Sequence, residues 1–352
     1  MKCNLAALFG AAFLVLAPVS AAGQHVPPVR TDHHVHVHSP EILAFLPAYC
    51  ASPGRIGACD PAFLKPLTVD DLLADMDRAG VHTAYMMSTG YLAESPMMVP
   101  PRPDAPTLVH AANAFTIDQA RMHPDRLVAF IGVNPLTPTA LAEIAAWRDE
   151  PFAAGVKLHL TNSGVDLRDP DQVFRLAAVF EAAAAARMAI LIHMRTRADD
   201  YGARDVRIFL EQVLPHARGV PVIIAHSGGW GGLDANTWDA LAGFRQGLSE
   251  RPELKTNLYF DLAQVFDTDT SDADLARLVA VMREIGIDRF LPGSDWPFAS
   301  DLDAYLNGAM FRLPLTQTEA YAFRERSLES VCARGCSHRT DRPAGCGSGR
   351  RP

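Results

Sequence analysis

Eight short apolar runs rich in β-branched residues, separated by stretches with helical periodicity, constrain this chain more than any other feature. The runs are Arg30–Val37, His82–Ser88, Leu127–Val133, Gly155–Leu160, Ala189–His193, Val220–His226, Leu258–Leu262 and Arg289–Leu291. Helix-like patterns lie between them at Val69–Arg78, Leu108–Met122, Thr139–Arg148, Asp171–Ala186, Arg204–Leu214, Thr237–Gly247 and Asp272–Ile285. Thr68, with Asp71 three residues on, resembles a capping box ahead of the first of these helices. Strand-then-helix units bury their apolar faces by pairing the strands in parallel and packing the helices outside, so eight of them predict an α/β fold, the (β/α)8 TIM barrel. An open doubly wound sheet is the alternative, but no glycine-rich phosphate turn follows the first run.

The chain has 352 residues, 49% of them hydrophobic, which is ample for such a core, and the barrel is read over residues 28–326. Ahead of it, Lys2, an apolar run from Leu5 to Leu16 and the small residues Ser20-Ala21-Ala22 read as a secretory signal peptide over residues 1–22. That run falls short of the ~20 residues a membrane span needs. The protein is therefore expected to be exported, periplasmic or secreted. In an oxidising compartment Cys50 and Cys59 can close a short loop. They lie in a Pro- and Gly-rich insert, Ser39–Pro66, read as a lid or specificity loop. Residues 327–352 are Arg-, Gly- and Cys-rich without an apolar stripe and read as a disordered, low-complexity tail. A formal charge of −8 with no basic block in the barrel argues against nucleic acid and membrane surfaces as partners. What remains is a small-molecule substrate, with a homodimer open as an assembly.

Side chains two apart on a strand share a face. In the run Asp32-His33-His34-Val35-His36-Val37-His38, His34 and His36 therefore aim at one point, with Asp32 below them, while Ser39-Pro40 ends the strand and leaves His38 at the mouth. Catalytic groups of a barrel sit at the carboxyl ends of its strands. Lys157 and His159 close the fourth run, His193 the fifth and His226 the sixth, and Asp295 follows the eighth. Singly, each histidine reads as a hydrogen-bonded core residue and Lys157 as a salt-bridged lysine; their shared placement at one end is what points to a site. Imidazole and carboxylate suit zinc and similar divalent ions, and bound zinc lowers the pKa of its water to about 7. Asp295 can then orient the hydroxide and carry its proton, and His226, when not a ligand, can stabilise an oxyanion or shuttle a proton. Arg195 and Arg197 follow His193 on the overhanging loop, where a guanidinium can clamp a carboxylate, and Trp230 can line the pocket.

The segments Thr31–His36, Ala154–His159, Ile190–His193, Val222–Gly229 and Gly293–Pro297, in this order, resemble the amidohydrolase superfamily. Within it they are similar to the amidohydrolase-related branch that includes aromatic-acid decarboxylases and lactone hydrolases. The resemblance implies that His34, His36 and Asp295 bind a first divalent metal, joined by His193 in members with one ion. In members with two, a carboxylated lysine at the Lys157 position bridges them and the histidines at 193 and 226 hold the second. It also implies a further helix after about Arg324, where this chain instead enters its tail. The reading that results is an exported hydrolase, carrying one or two zinc ions or else manganese, that cleaves an amide, lactone or ester. The alternative is a non-oxidative decarboxylase. An alternative of another class, a periplasmic metal-scavenging protein, would centre its binding on His33 to His38.

Overall fold

The computed structural model describes residues 26–328, so the signal peptide read over residues 1–22 and the tail from residue 329 onward lie outside the described residues. All eight predicted runs form strands: β1 (Thr31–His36), β2 (Thr83–Met87), β3 (Leu127–Gly132), β4 (Ala153–His159), β5 (Ala189–His193), β6 (Val222–Ile224), β7 (Leu258–Asp261) and β8 (Phe290–Leu291). Each pairs in parallel with the next, in sequence order. The two-residue β8 is too short to ladder onto β1, and the chain just beyond it closes the barrel instead. There His33 N donates to Pro292 O (3.0 Å), Asp295 N to His34 O (2.8 Å) and His36 N to Trp296 O (2.7 Å). Closure thus fastens together the two segments that carry His34, His36 and Asp295.

The covering helices are α1 (Pro40–Cys50), α2 (Val69–Ala79), α3 (Ala105–Met122), α4 (Thr139–Trp147), the single turn α5 (Leu160–Ser163), α6 (Pro170–Ala185), α7 (Ala203–Ile208), α8 (Ala235–Glu250), α9 (Asp272–Ile285) and α10 (Gln317–Arg324). The capping box of Thr68 and Asp71 forms in both directions at the start of α2. Strand alternation sorts the apolar residues into two layers. Val35, Met86, Ile131, Val156 and Ile190 pack outward in one continuous core, while Tyr85, Phe130, Leu191, Ile223 and Leu291 fill the barrel. Gly155 is required there, because a Cβ on it would collide with the Phe130 ring. Among the described residues no helix is long and apolar enough to cross a membrane.

Two expectations need correction. The pairing of β1 with β2 shifts between Asp32 and Val35, so β1 carries a bulge. Asp32 consequently registers with Ala84, which belongs to the outer core, and not with the face that carries His34 and His36. The insert is not merely a loop: Ser39 Oγ accepts from Ile42 N at 3.3 Å and opens α1, which buries Ile42, Leu46 and Tyr49. The predicted Cys50–Cys59 disulfide then closes the turn behind that helix. At its C-terminal side the described chain still packs on the barrel. Arg326 Nη1 donates to Ile287 O (2.9 Å) and Phe290 O (2.8 Å), and Leu328 is buried against the inner core.

Candidate metal centre

At the carboxyl end of the barrel, His34 Nε2, His36 Nε2 and Asp295 Oδ1 form a triangle with edges of 3.2, 3.2 and 3.5 Å. Around an ion bound tetrahedrally at ~2.0–2.1 Å, neighbouring ligand atoms stand about 3.3 Å apart. The triangle therefore has the size of one face of a zinc-like coordination shell. Its donor set of two imidazoles and a carboxylate is one that such ions accept.

The outer partners fix which ring nitrogen is available. His36 Nδ1 donates to the Met87 carbonyl (3.3 Å), which leaves the Nε2 lone pair facing the triangle. His226 Nδ1 donates to the Ala263 carbonyl (2.7 Å) in the same way, and its Nε2 stands 4.0 Å from Asp295 Oδ2. His34 Nδ1 pairs with Asp261 Oδ2 at 2.9 Å, the carboxylate–histidine arrangement that orients a metal ligand. Burial pulls His34, His36 and His226 below the ordinary histidine range, so all three imidazoles are neutral at physiological pH, the state a metal requires. Burial alone would push the Asp295 carboxyl up, but His226, His36 and Lys157 outweigh it and hold the group below the usual carboxylate value. His226, Ser227 and Asp295 have left-handed backbones, with φ of 53°, 52° and 62°. For residues with a Cβ this costs on the order of 1–3 kcal/mol each, the kind of strain that clusters where side chains must be aimed.

Of the other sequence-predicted residues, Lys157 is buried on β4, where Nζ lies 2.8 Å from His34 Nε2; burial lowers the amine to about 8. His193 does not enter the triangle. Its ring stacks on His159 (centroids 3.9 Å apart, planes at 15°), and its buried Nδ1 has no hydrogen-bond partner. Trp230, half exposed, stands edge-on to His193 at 4.9 Å and to His159 at 5.8 Å, as a wall of the mouth. Arg195 is neutralised by Asp234, 2.6 Å away. Asp32 staples the barrel seam: its Oδ1 accepts from His34 N (3.1 Å) and Ser294 N (3.0 Å). The remaining histidines of the run, His33 in β1 and His38 just beyond it, are structural. His33 Nδ1 donates to Pro292 O (2.8 Å), while His38 Nε2 donates to Phe63 O (3.1 Å) and its Nδ1 accepts from Thr89 Oγ1 (2.8 Å).

Sequence reasoning missed Asp261, Tyr91 and Arg55. Asp261 ends β7 just as His226 follows β6, so the rule that selected the histidines would have found it. Arg55 sits in the disulfide-closed turn, where its Nη1 donates to Tyr49 Oη (3.1 Å) and its guanidinium covers the Tyr49 ring at 4.9 Å. Tyr49 Oη in turn donates to Asn162 Oδ1 (3.3 Å). Tyr91 is buried and tilted against His159 at 5.5 Å, within the electrostatic reach of both Tyr49 and Asp295. Arg197 Nε donates to Thr161 O (2.9 Å), and burial together with Arg55 lowers its guanidinium, Tyr49 acting in the opposite sense. Neither Arg55 nor Arg197 has a carboxylate partner among the described residues.

The amidohydrolase family profile matches residues 32–330. Among solved structures, 5-carboxyvanillate decarboxylase from Sphingomonas paucimobilis superposes with a TM-score of 0.62 at 16% identity, over 88% of this chain and 99% of that one. The 2,6-dihydroxybenzoate decarboxylase from Rhizobium gives 0.52 at 16% identity, over 84% and 95%. A 5-carboxyvanillate decarboxylase from Novosphingobium aromaticivorans with bound manganese gives 0.56 at 16%, over 86% and 96%. No curated protein matches the chain at a significant level.

Proposed function

The chain belongs to the amidohydrolase family, and from that premise we propose that it is a metal-dependent, non-oxidative decarboxylase of an aromatic or unsaturated carboxylic acid. The observation that carries this reading is the pair of guanidiniums, Arg55 on the Tyr49 ring and Arg197 on the loop after β5, which have no carboxylate partner among the described residues, together with the aromatic rings of Tyr91 and Trp230 against His159. Unpaired guanidiniums next to aromatic faces recognise a flat, anionic substrate. The decarboxylases whose folds this chain shares support the same chemistry.

His34, His36 and Asp295 would hold the ion, and His226 would stand beside them. A divalent ion there supplies positive charge that fixes the substrate's anionic oxygens. In the reaction the bond between the carboxylate and its carbon breaks, carbon dioxide leaves, and the carbon that keeps the electron pair takes up one proton. His226 Nε2 and Asp295 Oδ2, 4.0 Å apart, form the pair that can hold and deliver that proton. The zinc of the sequence reading and the manganese of the Novosphingobium structure both suit this donor set. Oxidation of Cys50 and Cys59 supports an exported protein.

Hydrolysis is favoured by one observation. Lys157, with its amine lowered to about 8 by burial, sheds a proton readily enough to take up carbon dioxide as the carbamate bridge of a two-metal site. The test is to incubate protein loaded with zinc or manganese with 5-carboxyvanillate, 2,6-dihydroxybenzoate and a panel of aromatic lactones in 18O-water. Carbon dioxide released without 18O in the organic product is the expected result. Label entering a new carboxylate, with no carbon dioxide, would reverse the assignment in favour of hydrolysis.

A further inference from the structure

His159 lies two residues beyond Lys157 on the same face of β4, nearer the mouth, in register with His193 on β5. It occupies an unusual position for a histidine, because its ring caps the single turn α5: Nδ1 accepts from Asn162 N at 3.4 Å. A ring nitrogen that accepts cannot carry the proton, so the neutral ring is held as the Nε2–H tautomer. This is the reverse of His36 and His226, whose Nδ1 atoms donate to carbonyls and whose Nε2 lone pairs are free. The ring plane is also fixed, stacked on His193 at 3.9 Å and flanked by Tyr91 and Trp230. Nε2 makes no hydrogen bond among the described residues, yet it is not one of the buried polar atoms sealed away without a partner.

We infer that His159 is not a metal ligand but a neutral donor, whose Nε2–H holds an anionic oxygen of the substrate. The ligand class is a carboxylate or phenolate on an aromatic ring, since the aromatic rings of Tyr91 and Trp230 flank His159. The inference rests on the proposed reading of this pocket as one that takes a carboxylic acid, but it concerns recognition and not bond breaking. His159 therefore sets which oxygen anion is held, while Arg55 and Arg197 supply charge farther out.

The test uses the zinc-loaded full chain with 15N-labelled histidine rings, benzoate as the probe, and the variants His159→Phe, which keeps the stack without a donor, and His159→Gln, which can restore an N–H near the Nε2 position. The wild-type spectrum is expected to show an unprotonated Nδ1 and a protonated Nε2 for His159, with the Nε2 signal shifting on addition of benzoate. Loss of a hydrogen bond to a charged group predicts a benzoate Kd raised about tenfold or more in His159→Phe. His159→Gln should recover most of that loss, and metal content should be unchanged in both. An Nδ1–H tautomer, or metal lost from His159→Phe, would make the residue a ligand and overturn the inference. So would an unchanged Kd in His159→Phe, or no response of wild type to benzoate. Absence of carbon dioxide release alongside an intact benzoate response would defeat the decarboxylase reading alone.

Discussion

Each histidine of the centre has its role set by what its second nitrogen touches. Backbone carbonyls hold His36 and His226 with Nε2 lone pairs inward, a backbone N–H holds His159 in the opposite tautomer, and only His34 depends on a side-chain carboxyl, Asp261. Asp261 also accepts from the backbone amides of His226 (2.7 Å) and Ala263 (3.1 Å), so one carboxylate orients a ligand and steadies the left-handed turn that carries His226. Asp261→Asn keeps one oxygen as acceptor but removes the second carboxyl oxygen, the one that faces His34 Nδ1. Its metal affinity, measured by competition with a chelator, should fall about 10- to 100-fold with little change in thermal stability. An unchanged affinity would show that Asp261 serves the backbone alone.

At the scale of elements, the apolar period made all eight strands legible, because a buried parallel strand must be apolar along nearly its whole length. The β1 bulge was not legible: the parity of Asp32 depends on how β1 pairs with β2, which no local pattern encodes. Helix α1 was hidden by Pro40 and Pro47, yet Pro40 occupies the first turn, where its missing N–H costs nothing, and Pro47 lies within the helix. The Cys50–Cys59 bond fastens this helix to the turn bearing Arg55, at a sequence separation of 9. In the chain-entropy view, closing so short a loop stabilises by about 2.5 kcal/mol. The double variant Cys50→Ser/Cys59→Ser should therefore melt at a lower temperature and be cut more readily by protease within the insert. It should retain its metal, because no ligand lies in the insert. Loss of metal would show that the insert supports the centre directly.

Over the whole molecule, the sequence order of the strands is also their order around the barrel, so the placement of His34, His36, His226 and Asp295 at one end followed from the fold. What could not be read was pairing across loops: the partner of Arg195 is Asp234, 39 residues away, and that ion pair leaves Arg197 as the guanidinium of its loop without a carboxylate partner. The displacement of His193 from the ligand triangle toward His159 likewise arises from the register of β4 and β5. We propose that closure of the barrel between β1 and the segment after β8 builds a site for a single ion on His34, His36 and Asp295. Elemental analysis of the purified protein beside His36→Ala and Lys157→Ala tests it most directly. One divalent metal per chain is expected in the wild type, lost in His36→Ala and kept in Lys157→Ala. Two metals per chain that fall away in Lys157→Ala, or metal retained by His36→Ala, would contradict it.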